Sequence, residues 1–516
     1  MKYKMAITPS ERKTSALTII YFFILLSGFS VAAKQPNVVF ILTDDQDVEL
    51  LGQYPMPKTK QLIADQGIKF TNMFVTSPLC CPSRSSILTG QYIHNHLVTN
   101  NSATGNCSSV TWQKTSELNT FPTYLQANGY STFFAGKYLN EYGFPQNGGV
   151  RHIPPGWDAW HGLVGNSVYY NYSLSSNGIE ERHGNNYSQD YLTDVINRKA
   201  VEFLQKQVNT TRPFFMMLAT PACHDPFTSA PQYEKNFTSE QAPRTKQFNI
   251  HGKDKHWLIE QAITPMPQDS ITFLDNAFRN RLRTLLSVDD MVEDVVNSLK
   301  AIGQLDNTYI FFSSDNGFHL GQFSLPYDKR QLYDFDIRVP LFVRGPGIKV
   351  NSTNEESVMS IDLAPTFLDL AGLQAPASFD GLSLTPILTN QAHSFRDKVL
   401  VEYHGEHQYF ITGCPQYMNQ GMANCNNHCV CEDSWNNTFA CIRTLTAQQS
   451  YKYCAFQDND NFVEVYDMLS DPYELVNIAK TGSPDILNQL NQELINLSLC
   501  SGANCHNTPS VSIVGK

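Results

Sequence analysis

Two short apolar runs, far apart in the chain, each break off into acidic and amide side chains. Asn37-Val38-Val39-Phe40-Ile41-Leu42 leads into Thr43-Asp44-Asp45-Gln46, and Thr308-Tyr309-Ile310-Phe311-Phe312 leads into Ser313-Ser314-Asp315-Asn316-Gly317. A run of this length without polar alternation suits a strand buried on both faces, as in a parallel sheet covered by helices. Ligands of open α/β sheets bind outside the carboxyl ends of the strands, so the two acidic tips are expected to meet there.

The stretch between them keeps an α/β rhythm. Thr120-Phe121-Pro122 opens a helix through Ala127, Asn128-Gly129 closes it, and Tyr130 to Phe134 follows as a strand ending at Gly136-Lys137. Asp362 to Ala371 reads as another helix stopped by Gly372, and Asp380-Gly381 marks a turn near the end of this large domain. After about residue 395 the composition shifts to Cys, Asn and Tyr. Ser483-Pro484-Asp485 then caps a helix whose Ile486, Leu490, Leu494 and Leu497 form one packing stripe. The expected division is a large domain over 34–395 and a smaller one over 396–516. With 516 residues, 41% of them hydrophobic, there is apolar surface for a large core, which excludes a peptide hormone, a disulfide miniprotein and a lone binding module.

Net charge is -11, with 37 Lys plus Arg against 48 Asp plus Glu, so a surface built to coat nucleic acid is excluded and an anionic ligand must meet a local basic pocket. Lys2, Lys4, Arg12 and Lys13 precede an apolar run from Ala16 to Phe29, and Val31-Ala32-Ala33 offers the small residues of a cleavage site. Residues 1–33 therefore read as a signal peptide, with an uncleaved anchor as the alternative, and no stable membrane anchor is expected in the mature chain. Nine Asn-x-Ser/Thr sequons support passage through the secretory pathway, at Asn100, Asn106, Asn171, Asn186, Asn209, Asn236, Asn351, Asn436 and Asn496. Of the twelve cysteines, Cys414, Cys425, Cys429, Cys431, Cys441, Cys454, Cys500 and Cys505 cluster late and read as a disulfide framework of undetermined pairing. A zinc site at Cys429-x-Cys431 is the weaker reading, because that spacing suits a tetrahedral site poorly.

The most informative string is Cys80-Cys81-Pro82-Ser83-Arg84-Ser85-Ser86-Ile87-Leu88-Thr89-Gly90. Pro82 suits the first turn of a helix, which puts Cys80 at an N-terminus where free N–H groups and the dipole favour an anion. For an arbitrary Cys-Cys pair, disulfides beside a capped helix would be the better reading. The whole string, however, resembles the signature of the type I sulfatases, and Asp44-Asp45 and Asp315-Asn316-Gly317 stand in the order that family shows. The resemblance extends through Gly136-Lys137-Tyr138-Leu139-Asn140, Lys255-His256-Trp257-Leu258-Ile259, Leu286-Ser287-Val288-Asp289-Asp290 and Asp328-Lys329-Arg330-Gln331-Leu332-Tyr333. It covers nearly everything from Pro36 to Cys505.

The resemblance implies an alkaline-phosphatase/sulfatase-like fold: a large mixed, mostly parallel sheet flanked by helices, plus a smaller cysteine-rich α+β domain. It implies that Cys80 is converted to Cα-formylglycine by the formylglycine-generating enzyme during maturation. Asp44, Asp45, Asp315 and Asn316 offer only hard oxygen ligands, which suit Ca2+ and poorly suit zinc; the family adds residue 80 as a further contact to the ion. By the same resemblance Arg84 holds the formylglycine diol in place, Lys137 and Lys329 bind sulfate oxygens, and His224 is the general acid or a sulfate ligand. Taken singly, each Asp would be a cap or turn, each Lys a solvated charge, and His224 a loop histidine satisfied by backbone.

The implied reaction is a two-step transfer in which one diol hydroxyl attacks sulfur and the other, losing its proton, expels sulfate. Many sulfatases carry a histidine two residues after the lysine matching Lys137, where this chain has Leu139, so the base for the second step is expected elsewhere. His319 ranks first, with His94 and His96 as alternatives.

The implied function is an exo-acting lysosomal enzyme, with a secreted fraction left open, that removes 6-O-sulfate from N-acetylglucosamine in heparan and keratan sulfate. Its partner is then a sulfated glycosaminoglycan, and a homodimer is left open. The rivals are an extracellular 6-O-endosulfatase, a broader arylsulfatase, a catalytically silent glycan-binding glycoprotein, and a phosphatase on the same scaffold. The endosulfatases generally carry a long basic insertion and the phosphatase would recruit histidines for two zinc ions, neither of which the chain shows.

Overall fold

The computed structural model describes residues 34–49, 54–391, 395–406, 422–425, 431–446 and 449–506. The expected signal peptide at 1–33 lies outside these residues, as does Cys414, and the side chains of Cys425, Cys429 and Cys431 are likewise not described.

The first apolar run forms β1 (Asn37–Thr43), which is buried along its whole length. It is the fifth of ten strands in one sheet. The others are β2 (Ile68–Phe74), β3 (Ser131–Gly136), β4 (Ala159–Leu163), β5 (Ser173–Ser176), β6 (Ile179–Arg182), β7 (Phe214–Ala219), β8 (Thr308–Ser314), β9 (Arg338–Arg344) and β10 (Ser352–Met359), in the spatial order β10-β2-β9-β8-β1-β7-β3-β4-β5-β6. The central run β8-β1-β7-β3-β4 is parallel throughout, and β9 and β5 run antiparallel to their neighbours. The sheet is therefore mixed and mostly parallel.

Alternate side chains of the buried strands feed two cores. Val38, Phe40 and Leu42 of β1 join Phe215, Phe311 and Phe367 on one face, where α1 (Cys80–Thr89), α2 (Phe121–Ala127) and α5 (Leu363–Leu370) pack. Val39 and Ile41 join Met216, Leu218, Ile310 and Phe312 on the other, against α3 (Leu192–Gln205) and α4 (Gln268–Ala301). Each such side chain contributes about 1.5–3 kcal/mol by burial, which is why strands covered on both sides read as unbroken apolar runs.

The last part of the chain forms a separate antiparallel sheet of β11 (Lys398–Tyr403), β12 (Phe439–Thr444), β13 (Tyr451–Phe456) and β14 (Val463–Asp467). The expected amphipathic helix is α6 (Pro484–Ser498), and its Leu490, Leu494 and Leu497 are buried. Cys441 and Cys454 face each other across β12 and β13 and are bonded, and Cys500 is bonded to Cys505 beyond α6. Among the described residues no helix is long and apolar enough to cross a membrane.

Candidate active site

The register of the sheet assembles the site. Thr43 pairs with Ser314 across β1 and β8, so Asp44-Asp45 and Asp315-Asn316 emerge side by side. On the other flank Leu42 pairs with Ala219 of β7, and the next turn carries His224. Beyond β7, Gly136 of β3 pairs with Ala219, so Lys137 emerges in the next slot. Gly136 has φ +112, and a Cβ there would lie 1.9 Å from the Ala219 carbonyl oxygen, so only glycine allows the strand to end this way.

Opposite these four tips, α1 begins at Cys80 as the sequence predicts, with every residue buried. Cys81 is bonded to Cys107, whereas Cys80 is a free thiol. Cys80 Sγ lies 3.7 Å from Asp44 Oδ1, and Asp44, Cys80 and His224 offer ligand atoms within 4.8 Å of one another, as do Asp44, Asp45 and Asp315. Arg84, on the same helix, donates from Nε to Asp315 Oδ2 (2.7 Å) and from Nη1 to the Lys137 carbonyl (2.7 Å). Lys137 Nζ donates to Asp44 Oδ2 (2.6 Å), and Lys329 Nζ donates to both carboxylate oxygens of Asp45 (2.6 and 2.7 Å).

These charges set the protonation states. Burial opposes ionisation of Asp44, yet Lys137, His224, Arg84 and Lys329 hold it well below the usual carboxylate range. Asp45 is lowered in the same way, against its burial, by Lys329 and His224. Burial and the Asp44 charge push Asp315 up to about 6 despite Arg84. Burial pushes the Cys80 thiol up to about 12, with Lys137 and Lys329 opposing the rise. A thiol held neutral to that extent is a poor nucleophile at any physiological pH, so an unmodified Cys80 does not suit thiolate catalysis.

The acidic tips fit a hard divalent cation. Three carboxylates and one amide converge with no sulfur or nitrogen donor required, and Asn316 Oδ1 is buried with no hydrogen-bond partner among the described residues. The Asn316 Nδ2 group is already engaged, donating to Asp45 Oδ1 (2.7 Å) and to the Gly317 carbonyl (2.8 Å), which leaves the amide oxygen as the free donor atom. An orphaned buried acceptor of this kind is what a cation ligand looks like before its ion is considered.

The histidines separate clearly. His224 is brought to Cys80 and the aspartates: its Nδ1 donates to the Asp225 carbonyl (2.6 Å) and its Nε2 lies 3.9 Å from Asp45 Oδ2. Burial and then Lys329 lower its pKa. His319 is fully buried with Nδ1 on the Asp336 carboxylate (3.0 and 3.1 Å). His96 is buried with its ring on Ser86 Oγ (2.9 Å) and on the Val98 N–H, and burial lowers its pKa to about 3. His94 faces away, toward the C-terminal sheet.

His94 has an acceptor on each ring nitrogen: the Glu402 carboxylate at Nδ1 (2.9 Å) and the Cys500 carbonyl at Nε2 (2.8 Å). Only the imidazolium can donate to both. Burial opposes the charge, but Glu402, the Cys500 carbonyl and Asp380 raise its pKa, and the ring stacks on Tyr92. A histidine raised in the folded state contributes stability that is fully present below its unfolded pKa and lost as pH rises through the folded one. His94→Gln is therefore expected to lower the thermal midpoint more at pH 5 than at pH 8. Equal losses at the two pH values in a melting series would refute the tie.

Two further residues, outside the sequence reading, support the acidic tips. Ser167, beyond the end of β4, donates its hydroxyl to Asp44 Oδ2. Arg281 of α4 is fully buried beneath the first acidic tip, donating to Asp47 Oδ2 (2.8 Å) and to the Asp45 carbonyl, where Asp45 adopts φ +63. The strand-end rule would have drawn attention to the loop of Ser167; nothing marks one buried arginine of a long helix.

A sulfatase family model matches residues 36–373. The chain is 55% identical over 491 residues to human N-acetylglucosamine-6-sulfatase, covering 94% of this chain and 89% of that protein. It is 45% identical to an extracellular sulfatase SULF-1 homolog of Drosophila melanogaster, covering 71% of this chain and 32% of that one. Among solved structures it superposes with a TM-score of 0.71 and 26% identity on a protein in complex with its substrate D-glucosamine-2-N,6-O-disulfate, over 90% of this chain and 97% of that one. With the family model matched over residues 36–373 and the human relative 55% identical over nearly the full length of both chains, the chain belongs to the sulfatase family of sulfuric ester hydrolases.

Proposed function

We propose that this chain is an exo-acting N-acetylglucosamine-6-sulfatase that releases the 6-O-sulfate of terminal N-acetylglucosamine in heparan and keratan sulfate, in the lysosome. The observation that carries the sugar assignment is the 55% identity to the human enzyme of that name over almost the full length of both chains. The extracellular sulfatase homolog is matched over only 32% of its length. A glucosamine 6-O-sulfate as the substrate of a structural neighbour supports the same class. The signal peptide and the sequons suit secretory delivery to the lysosome as a glycoprotein, and the 396–516 segment is read as a second, smaller domain.

Position 80 is read as formylglycine, which when hydrated supplies two hydroxyls on one carbon, one to attack sulfur and the other to restore the aldehyde. Asp44, Asp45, Asp315 and Asn316 are the residues that would hold calcium, whose charge favours ionisation of a nearby hydroxyl and offsets the negative charge of the sulfate. Arg84 fixes the walls of the site by spanning Asp315 and the Lys137 carbonyl. Lys137 and Lys329 are fixed ammonium groups in a buried site, where their attraction for sulfate oxygens is strong. With Nδ1 committed to the Asp225 carbonyl, His224 handles a proton at Nε2, the nitrogen turned toward the site, and is assigned to the leaving sugar oxygen. His319, oriented by Asp336, is assigned as the base for sulfate release.

Mass spectrometry of the tryptic peptide spanning residue 80 is expected to show loss of sulfur and gain of a carbonyl oxygen; an intact thiol in active protein would sink the nucleophile assignment. Sulfate release is expected from 6-sulfated N-acetylglucosamine at the non-reducing end of an oligosaccharide. Release from internal residues only would overturn the exo reading in favour of an endosulfatase.

A further inference from the structure

Lys329 lies in the segment from Asp328 to Asp334, and that segment is held by the C-terminal sheet. Asn437 Nδ2 donates to the Arg330 carbonyl (3.1 Å), and Lys452 Nζ donates to the Leu332 carbonyl (3.0 Å). Tyr333 OH donates to Glu464 Oε2 (3.0 Å), and the Asp334 N–H donates to Glu474 Oε2 (3.0 Å). The residue directly after Lys329 is Arg330, whose φ of +92 persists in a non-glycine residue only where the surroundings over-determine it.

Glu406 reaches further than the others. Its Oε2 accepts from Arg330 Nε (3.1 Å), and its Oε1 accepts from the Asn101 N–H (3.1 Å). Asn101 Oδ1 in turn accepts from the Cys81 N–H (2.9 Å) at the mouth of α1. One carboxylate from the C-terminal part thus joins the helix that presents residue 80 to the segment that presents Lys329. We propose that Glu406 is a positioning residue for the reaction, setting the separation between position 80 and the Lys329 ammonium, so that the C-terminal sheet is a working wall of the active site. This rests on the reading that Lys329 binds sulfate.

Glu406 is 19% exposed, so a near-isosteric replacement is compatible with folding. Glu406→Gln keeps one acceptor but turns an amide N–H2 toward either the Asn101 N–H or Arg330 Nε, opening one end of the tie. Misplacement of a catalytic group by about 1 Å can cost about a hundredfold, so kcat/KM is expected to fall about tenfold to a hundredfold at an unchanged thermal midpoint. Inorganic sulfate, titrated calorimetrically, is expected to bind the variant more weakly. Its loss should not add to that of Lys329→Ala in the double variant, because both remove one interaction. Tyr453→Phe, which loses only a hydrogen bond to Asn491 in the same sheet, is the control expected to keep full activity.

Wild-type sulfate binding and turnover in Glu406→Gln, or strictly additive losses with Lys329→Ala, would overturn the proposal. Sulfate binding is indifferent to the sugar. Wild-type protein that binds sulfate without hydrolysing the 6-sulfated sugar would therefore refute the substrate assignment alone, and wild-type protein that binds no sulfate would overturn both.

Discussion

Cys80→Ala is expected to lower sulfate release by at least about four orders of magnitude while leaving the fold intact, as removal of a nucleophile does when binding groups remain. The stability half of this expectation follows from what Cys80 touches. Its sulfur is not in a disulfide, its one hydrogen-bond contact among the described residues is the 3.7 Å approach to Asp44, and the neighbouring Cys81–Cys107 bond stays in place. Removing one sulfur atom from a buried site costs on the order of 1 kcal/mol, far less than the loss of a disulfide. Sulfate release and thermal midpoint, measured on the same preparation, check both halves. A variant with wild-type turnover would show that position 80 supplies no reacting atom.

The largest combined effect is expected for Arg84→Ala. Arg84 is 2% exposed and is the counter-ion at 2.7 Å to Asp315, which burial and Asp44 already push up to about 6. Breaking a buried pair by removing one partner costs about 3–5 kcal/mol, because the remaining charge is left uncompensated. Without its cation, Asp315 is raised further above its unfolded value. A carboxyl raised in the folded state contributes stability that is complete below the unfolded pKa and lost as pH rises through the folded one. In calcium-free buffer the deficit of Arg84→Ala against wild type is therefore expected to be greatest near neutrality and to shrink on acidification through pH 6 and below. Chemical denaturation at two pH values tests this, and a deficit that grows on acidification would contradict it. Arg84→Lys restores the charge but not both arms of the contact to Asp315 and the Lys137 carbonyl, so activity is expected to stay low.

Much of the site is legible in the sequence because it sits where regular structure stops. β1 and β8 announce themselves as apolar runs, and their tips are polar because the sheet ends there. The helix over Cys80–Thr89 follows from Pro82 in its first turn and Gly90 at its end. Ser167, Arg281 and Glu406 are not legible in this way. Each acts through contacts with residues distant in sequence, and no periodicity or capping pattern encodes such contacts. The disulfides divide on the same line. Cys441 and Cys454 pair because two antiparallel strands place them opposite each other, and that register is a property of the folded sheet. The sequence leaves the roles of His94 and His96 open for the same reason. Their proximity to the signature helix in sequence becomes, in the fold, attachment to Glu402 and to Ser86.

The pairing of Thr43 with Ser314 has an implication for how this protein fails. Because side chains alternate along a strand, a slip of one position between β1 and β8 would point each of their residues to the opposite face and move one acidic tip out of line with the other. Strand alignment thus works as a ruler for chemistry performed at its end. Damage deep in the apolar layers, at Phe40 or Phe312, could silence the enzyme with every reacting group still in the chain. Inactive variants of this kind would be recognised by lost sulfate release in protein that remains compact and soluble.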